Sequence, residues 1–325
     1  MKARSVLLSA IAAALCAACS PRLAPPAPSF DATESLRDEL ADDALELLIR
    51  LTDDLTRVES PVRVRNAELC GDHVAPYLGV RTFWSQQGDP SPIGAAWRRR
   101  FQLGRDLAVV SVEPGSPAAR AGIEPGDSLL RVNGRALDRS VDYRDILSDE
   151  PERAPDLSVR KRDGHEVEIR VERHLACTAR GVVEMNDAIL VGWIWDAPGR
   201  IVLTRGLIEL TENDDELAVV FAHNLAHDLH GALPHRSRRY DPNELAIDRV
   251  GLFLAARAGF DVSAAPAIWS RIASERPSDI AANEQVPPNQ IREAPHARIA
   301  ARIVAMGDVV REIESQQRAG SELLP

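Results

Sequence analysis

Apolar residues recur at two different periods along this chain, and the changes of period mark its parts. From Ala32 to Val58, leucines 36, 40, 47, 51 and 55 fall at helical intervals with acids between them, which predicts an amphipathic helix with one buried face. PVRVRNAEL, 61–69, then reads as a strand. Leu107 to Leu137 alternates apolar and polar residues in two strands, punctuated by Gly122, by the turn Pro125-Gly126-Asp127 and by the tight-turn pair Asn133-Gly134. Ser140 to Leu147 reads as a short helix and LSVRKRDGHEVEIRV as a hairpin about Asp163-Gly164. GVVEMNDAILVGWI and RIVLTRGLIEL follow as two strand-like runs joined through Asp196-Ala197-Pro198-Gly199. Helical spacing then returns. TENDDELAVVFAHNLAHDLHGAL opens on Thr211 and Asp214 in a capping-box-like arrangement and closes at Gly231, and DPNELAIDRVGLFLAARAGFD is a second long helix. Ser85 to Arg100 is Pro/Gly-bearing and then basic, expected as a mobile excursion. The tail after Glu314 is expected to fray.

Composition adds bounds. The chain has 325 residues, 45% apolar and 27% charged, enough for two globular domains and unlike a disordered chain. A net charge of -10 with scattered basic residues, and only 4% aromatics, argue against nucleic acid as a partner. At the N-terminus Lys2 and Arg4 precede an apolar stretch, Val6 to Leu15, too short to stay in a bilayer as a span. The run CAAC ending in Cys19 resembles the lipobox of bacterial lipoproteins, with Leu15 one place further back than that motif favours. Cleavage before Cys19 would leave it lipidated, with Ser20 fitting outer-membrane sorting and PRLAPPAPS as a stiff tether. An ordinary cleaved secretion signal is the alternative. Export places Cys70 and Cys177 in an oxidising compartment, which favours a disulfide between them over two inert buried thiols.

The segment between those cysteines carries a resemblance. Its run SPAARAGIEPGDSLLRVNG resembles the PDZ domain almost position for position. The resemblance implies a β-sandwich-like insert with Ser140–Leu147 as the helix beside a peptide groove. Tyr77-Leu78-Gly79-Val80 looks like the carboxylate-binding loop of bacterial PDZ domains, where backbone N–H groups capture a peptide C-terminus and the peptide adds a strand. The same four residues also read as a plain strand entry.

FAHNLAH, Phe221 to His227, sets two histidines four apart on one helix, so both imidazoles stand on one face as ligands to one metal require. Glu244 and Asp248 begin the next helix, also four apart. Two histidines from one helix and a glutamate from the next make the His₂Glu donor set of thermolysin-like zinc sites. Asp248, one turn on, suits a bond that orients a ligating imidazole. GRIVLTRGLIEL, ELAVVFAHNLAH and ELAIDRVGLFLAARAGFD resemble the HtpX-like zinc metallopeptidases, a gluzincin family that includes the CAAX prenyl endopeptidases. PHARIAARIVAM resembles that family's H-P-x4-R-I element, with Ala297 in place of proline. The resemblance implies one zinc ion on His223, His227 and Glu244, and Asn224 where the family has its general-base glutamate. It also makes His296 and Arg302 candidates for the substrate cleft, although a helix-start role fits them equally.

The expected fold class is α+β: a mostly helical metallopeptidase-like domain with a small sheet, interrupted by a PDZ domain. The expected boundaries are a signal peptide over 1–18, a lipid-anchor tether over 19–31, the metallopeptidase-like domain over 32–70 and 177–318, the insert over 71–176, and a tail over 319–325. An asparagine amide can accept a hydrogen bond from water but cannot take up its proton, a function worth a factor of about 10² to 10⁴. Asp228 and His230 are the nearest substitutes, and neither reproduces the glutamate's placement. The preferred expectation is a lipid-anchored periplasmic protein with impaired hydrolysis that binds polypeptides, C-terminal peptides among them, through the groove and along a strand at Ile201 to Thr204. An active endopeptidase of envelope quality control and a metal-free PDZ adaptor are the alternatives.

Overall fold

The computed structural model describes residues 29–84, 91–101, 106–189, 191–193, 199–230, 244–275 and 299–325. The chain divides into Met1–Leu40 and Ala41–Pro325. Cys19 and the signal-like stretch lie outside the described residues. Within the first unit Leu36 and Leu40 are exposed rather than buried, so the predicted apolar face does not extend to them.

Helix α1 (Phe30–Arg65) is longer than its leucine pattern suggested. Leu51, Leu55, Val58 and Val62 keep the helical period through Pro61, so 61–65, expected as strand, is the end of the helix. Pro61 lacks an N–H to donate, and burial of Val58 and Val62 on either side holds the turn in the main core. Asn66 closes the helix, its amide donating to the carbonyls of Val62 (2.8 Å) and Leu254 (2.9 Å). A 3-10 turn at Ala67–Cys70 follows.

Strands β1 (Val74–Pro76) and β8 (Leu175–Cys177) pair antiparallel at the root of the insert, where Cys70 is disulfide-bonded to Cys177. The insert's antiparallel sheet runs β2 (Val80–Trp84), β3 (Leu107–Val112), β4 (Ser128–Val132), β6 (Asp156–Arg160), β7 (Glu166–Arg170), with β5 (Arg135–Ala136) on β4. Its turns are those the glycines demanded. Asn133 and Gly134 both have positive φ, 50° and 80°, and Gly164 has 93°, the left-handed conformations that tight hairpins require. Helix α3 (Pro117–Arg120) is capped by Ser116 and α4 (Tyr143–Asp149) by Asp142. Leu107, Val109, Leu129, Val132, Ile146 and Val159 lie in a core of its own.

The stretch expected as a mobile excursion instead contains helix α2 (Pro92–Phe101). Ala96 packs against Ala41 and Leu45 of α1, Trp97 stacks between Phe83 and Phe101, and Arg99 pairs with Asp42 at 2.7 Å. The helix is too short and too basic to persist alone; α1 supplies the surface that it needs.

In the body, β9 (Arg180–Glu184), β10 (Val191–Trp193) and β11 (Arg200–Thr204) form a sheet of order β10-β11-β9. The first strand-like run thus splits in two, and the end of the second, Arg205–Leu210, is helix α5. Strand β11 has neighbours on both sides, antiparallel β10 and parallel β9. Contrary to the expectation of a peptide laid along Ile201–Thr204, an extended chain cannot add there, because Ile201–Leu203 are paired on both sides. Helices α6 (Asp214–His230), α7 (Glu244–Arg257), α8 (Ala265–Glu275) and α9 (Ile299–Ala319) complete the core. The cap of α6 falls on Asn213, whose side chain accepts from Glu216 N (3.0 Å), while Glu216 accepts from Glu212 N (2.7 Å). Thr211 is not part of it. The tail does not fray: α9 runs to Ala319, Gly320 turns with φ 65°, and Arg257 donates to the Leu323 carbonyl at 2.7 Å. No described helix is long and apolar enough to cross a membrane.

Candidate metal centre and peptide groove

The central pair of helices owes its closeness to one glycine. A Cβ on Gly251 of α7 would lie 2.8 Å from His223 Cα and 2.9 Å from His223 N on α6, so only glycine lets the two backbones approach this far. That contact sets the first turn of α7 against the last turns of α6. His223 and His227 are one above the other with Nε2 atoms 3.2 Å apart, and Glu244 oxygens lie 3.8 Å and 3.4 Å from them. One donor atom from each of the three falls within 4.8 Å of the others. Four ligands about 2.0–2.1 Å from one ion in a tetrahedron are about 3.3–3.4 Å from each other, so the three donors fit a single divalent ion.

Behind the trio lies a buried charged layer. Asp248 Oδ1 is 3.0 Å from His223 Nδ1, a short approach that is off the ring N–H axis, since Nδ1 has no well-aligned hydrogen bond. Arg302, a candidate for the cleft or for a helix start, is in the first turn of α9 and is buried at 2% exposure, not on a cleft surface. It grips Asp248 with Nε (2.7 Å) and Nη2 (2.6 Å) and reaches Glu244 at 3.1 Å. A guanidinium enclosed by α7 and α9 meets the two carboxylates that four-residue spacing puts on one face of α7. His296 lies outside the described residues.

These contacts set protonation. Burial lowers the His223 pKa, outweighing the attraction of Asp248, and keeps the imidazole neutral as a ligand must be. For Glu244 burial alone pushes upward, but His227, His223 and Arg302 together hold the carboxyl below its ordinary range. Asp248 behaves alike: burial raises, Arg302 and His223 prevail, and it stays ionised.

Asn224 is 3% exposed, and its amide nitrogen donates to the Val220 carbonyl at 2.8 Å. One end of the carboxamide is thus tied to its own helix. Asp228 lines a different cavity, between the insert and the body, and the side chain of His230 lies outside the described residues.

Trp269, on α8, escaped the sequence reading. Its ring meets His223 edge-on (centroids 4.9 Å apart) and lies under the Arg302 guanidinium at 4.8 Å, closing the apolar side of the layer. The apolar spacing of APAIWSRIASE was the signal available. Gly251 was signalled too, as a lone glycine inside a helical pattern.

In the insert, Tyr77–Val80 leads into β2, the edge strand. The Gly79 φ is 75°, and a Cβ there would collide with Ser116. The carbonyls of Leu78 and Gly79 accept from Ala118 N (3.0 Å) and Glu113 N (2.9 Å). Tyr77 N donates to the His174 carbonyl at 2.8 Å, whereas Leu78 N and Gly79 N have no described acceptor. The Tyr77 hydroxyl donates to Glu113. Thus the loop is braced through its carbonyls while two of its N–H groups stay available.

A family model for the PDZ domain matches residues 109–161, and one for peptidase family M48 matches residues 181–238. Among solved structures the chain is similar to the HtrA3 PDZ domain bound to a phage-derived ligand, at 22% identity over 32% of this chain and 88% of that one, with a TM-score of 0.25. It is also similar to the HtrA-type protease AlgW with decapeptide, at 21% identity over 31% of this chain and 30% of that one, with a TM-score of 0.26. No curated protein matches the chain. The two matches are consistent with a metallopeptidase-type unit similar to peptidase family M48 over residues 181–238, with a PDZ domain set in ahead of that stretch.

Proposed function

We propose that this protein is a zinc-holding, polypeptide-binding protein of that metallopeptidase type whose hydrolytic step is severely impaired. The observation that carries the reading is the combination at α6: a donor trio compatible with one ion beside Asn224, an amide with no proton-accepting carboxylate to offer. Two imidazoles and a carboxylate suit zinc. When bound, zinc supplies Lewis-acid polarisation of a carbonyl and acidifies a coordinated water.

The rest is work for the chain's own residues. Asp248, 3.0 Å from His223 Nδ1, is close enough to orient that ring once its Nε2 holds a metal. Arg302 holds Asp248 and Glu244 ionised in a buried setting, and Trp269 keeps solvent from that layer. A proton must leave the attacking water and reach the departing amine. Asn224 can take no part in that transfer, and its nitrogen is already engaged by Val220 O. The groove beside β2 would take a peptide C-terminus on Leu78 N and Gly79 N. In the same reading, Cys19 carries a lipid anchor that holds the protein at the bacterial outer membrane, facing the periplasm.

The experiment is proteolysis of an unfolded protein by the wild type beside Asn224→Glu, with zinc measured on both. The expected result is one zinc per chain in each and a gain of about 10² to 10⁴ in turnover for the Glu variant. Equal turnover would overturn the impaired-enzyme reading, and absence of zinc from both would favour a metal-free adaptor.

A further inference from the structure

A cavity of about 1170 Å³ lies where the PDZ groove meets the body. Its walls join β2 and the start of α4 with helix α1 and the strands β9 and β11. Three of the arginines lining it form a cluster: Arg144 from α4, Arg180 from β9 and Arg200 from β11. Arg180 and Arg200 are direct partners across the parallel pair, so two like charges stand side by side, an arrangement that destabilises a sheet unless a counter-charge joins them. Arg144 has its own anion, since Asp142 accepts from its Nε at 2.8 Å and from its backbone N–H at 2.9 Å. Glu59, another carboxylate of this wall, accepts from Gly181 N and faces Arg81 (3.6 Å) and Arg63 (3.9 Å).

Among the described residues neither Arg180 nor Arg200 has an ion pair or a side-chain hydrogen bond. Burial, with Arg144 and Arg200 nearby, lowers the Arg180 guanidinium to about 10. The wall also carries Asp53, Glu113, Asp145 and Asp228, and Asp142 draws on Arg180 from a distance. Even so, a half-buried guanidinium with two arginines beside it and no hydrogen-bonded carboxylate among the described residues is costly. Folding gains nothing from it. An anionic occupant would.

We infer that Arg180 and Arg200, residues of the body and not of the PDZ domain, select an acidic polypeptide, their guanidiniums pairing with a Glu or Asp side chain of a peptide laid against β2. The peptide is thereby read by two units at once: its terminus by the loop at Leu78–Gly79, its acidic residue by the β9–β11 pair. This rests on the groove being a peptide site, as proposed above.

The test uses the full chain and fluorescein-labelled decapeptides with a free carboxylate and an aliphatic last residue. One Glu is moved through the upstream positions and compared with Gln at each. At one or two positions Glu should bind about tenfold or more tighter than Gln, as charged hydrogen bonds allow. Arg180→Gln should bring that ratio near one, through loss of affinity for the Glu peptides. Its melting temperature should equal or exceed that of the wild type, whereas an arginine that merely held the fold would lower it when lost. Arg200→Gln carries the same expectations if Arg180→Gln does not fold. Peptide binding without any Glu preference, or a preference that survives both variants, overturns the inference and leaves the groove reading intact. No binding of any free-carboxylate peptide overturns both.

Discussion

Around His223 every buried charge faces an opposite one. Arg302 lies between Asp248 and Glu244, and the two carboxylates in turn face the two imidazoles. At the junction of insert and body the pattern is reversed, with Arg180 opposite Arg200 and, among the described residues, no ion pair on either. Both clusters are polar and enclosed, yet only the first is self-sufficient. A closed set of charges keeps its geometry before any ion arrives, because each group is held by a neighbour already present. An open set keeps its groups apart and ready, and its missing charge must come from elsewhere.

Four perturbations break or sharpen that contrast, in descending size. Arg302→Met would leave Asp248 and Glu244 buried without their cation, and denaturant unfolding should show a loss of about 3–5 kcal/mol. A loss below about 1 kcal/mol would mean that the layer is not a closed set. Replacing Cys70 and Cys177 by Ser opens a loop of sequence separation 107 at the root of the insert and should cost about 2–4 kcal/mol. The zinc content should be unaffected, because the trio lies outside that loop. Asp248→Asn should weaken metal affinity about 10- to 100-fold in a chelator competition, while peptide binding at the PDZ groove holds.

The smallest effect is at Glu113. Burial outweighs its hydrogen bond with Tyr77 and raises its pKa. A carboxyl raised on folding contributes stability that is complete below its unfolded pKa and lost as pH rises through the folded value. Glu113→Gln, which resembles the protonated form, should therefore be the more stable protein at pH 7–8, within about 1 kcal/mol. Its advantage should vanish near pH 4, about the unfolded carboxyl pKa. An advantage that is constant across that range would remove the titration from the account.

The turns of the insert were legible because their chemistry is local. Asn133-Gly134 and Asp163-Gly164 adopt backbone conformations that few other residue pairs tolerate, so reading them needed no partner. The histidine pair was legible for a similar reason, since a spacing of four stacks two side chains on any helix. What went wrong was of the opposite kind. Pro61 suggested a break, and the end of α1 survives it through burial of Val58 and Val62. The basic run 98–100 suggested mobility, and α2 is ordered by Ala41 and Leu45. Ile201–Thr204 looked like a free edge, and β10 and β9 occupy both of its sides.

By itself, then, the sequence determined the periods, the turns and the donors on each helix face, all properties that depend on residues within a few positions of each other. Only the tertiary structure decided that Gly251 brings α7 against His223, that Arg302 belongs behind the donors and not before them, and that Arg180 and Arg200 look into the PDZ groove. Each of these joins residues far apart in the chain, and their positions follow from how helices and strands pack, which no local pattern encodes.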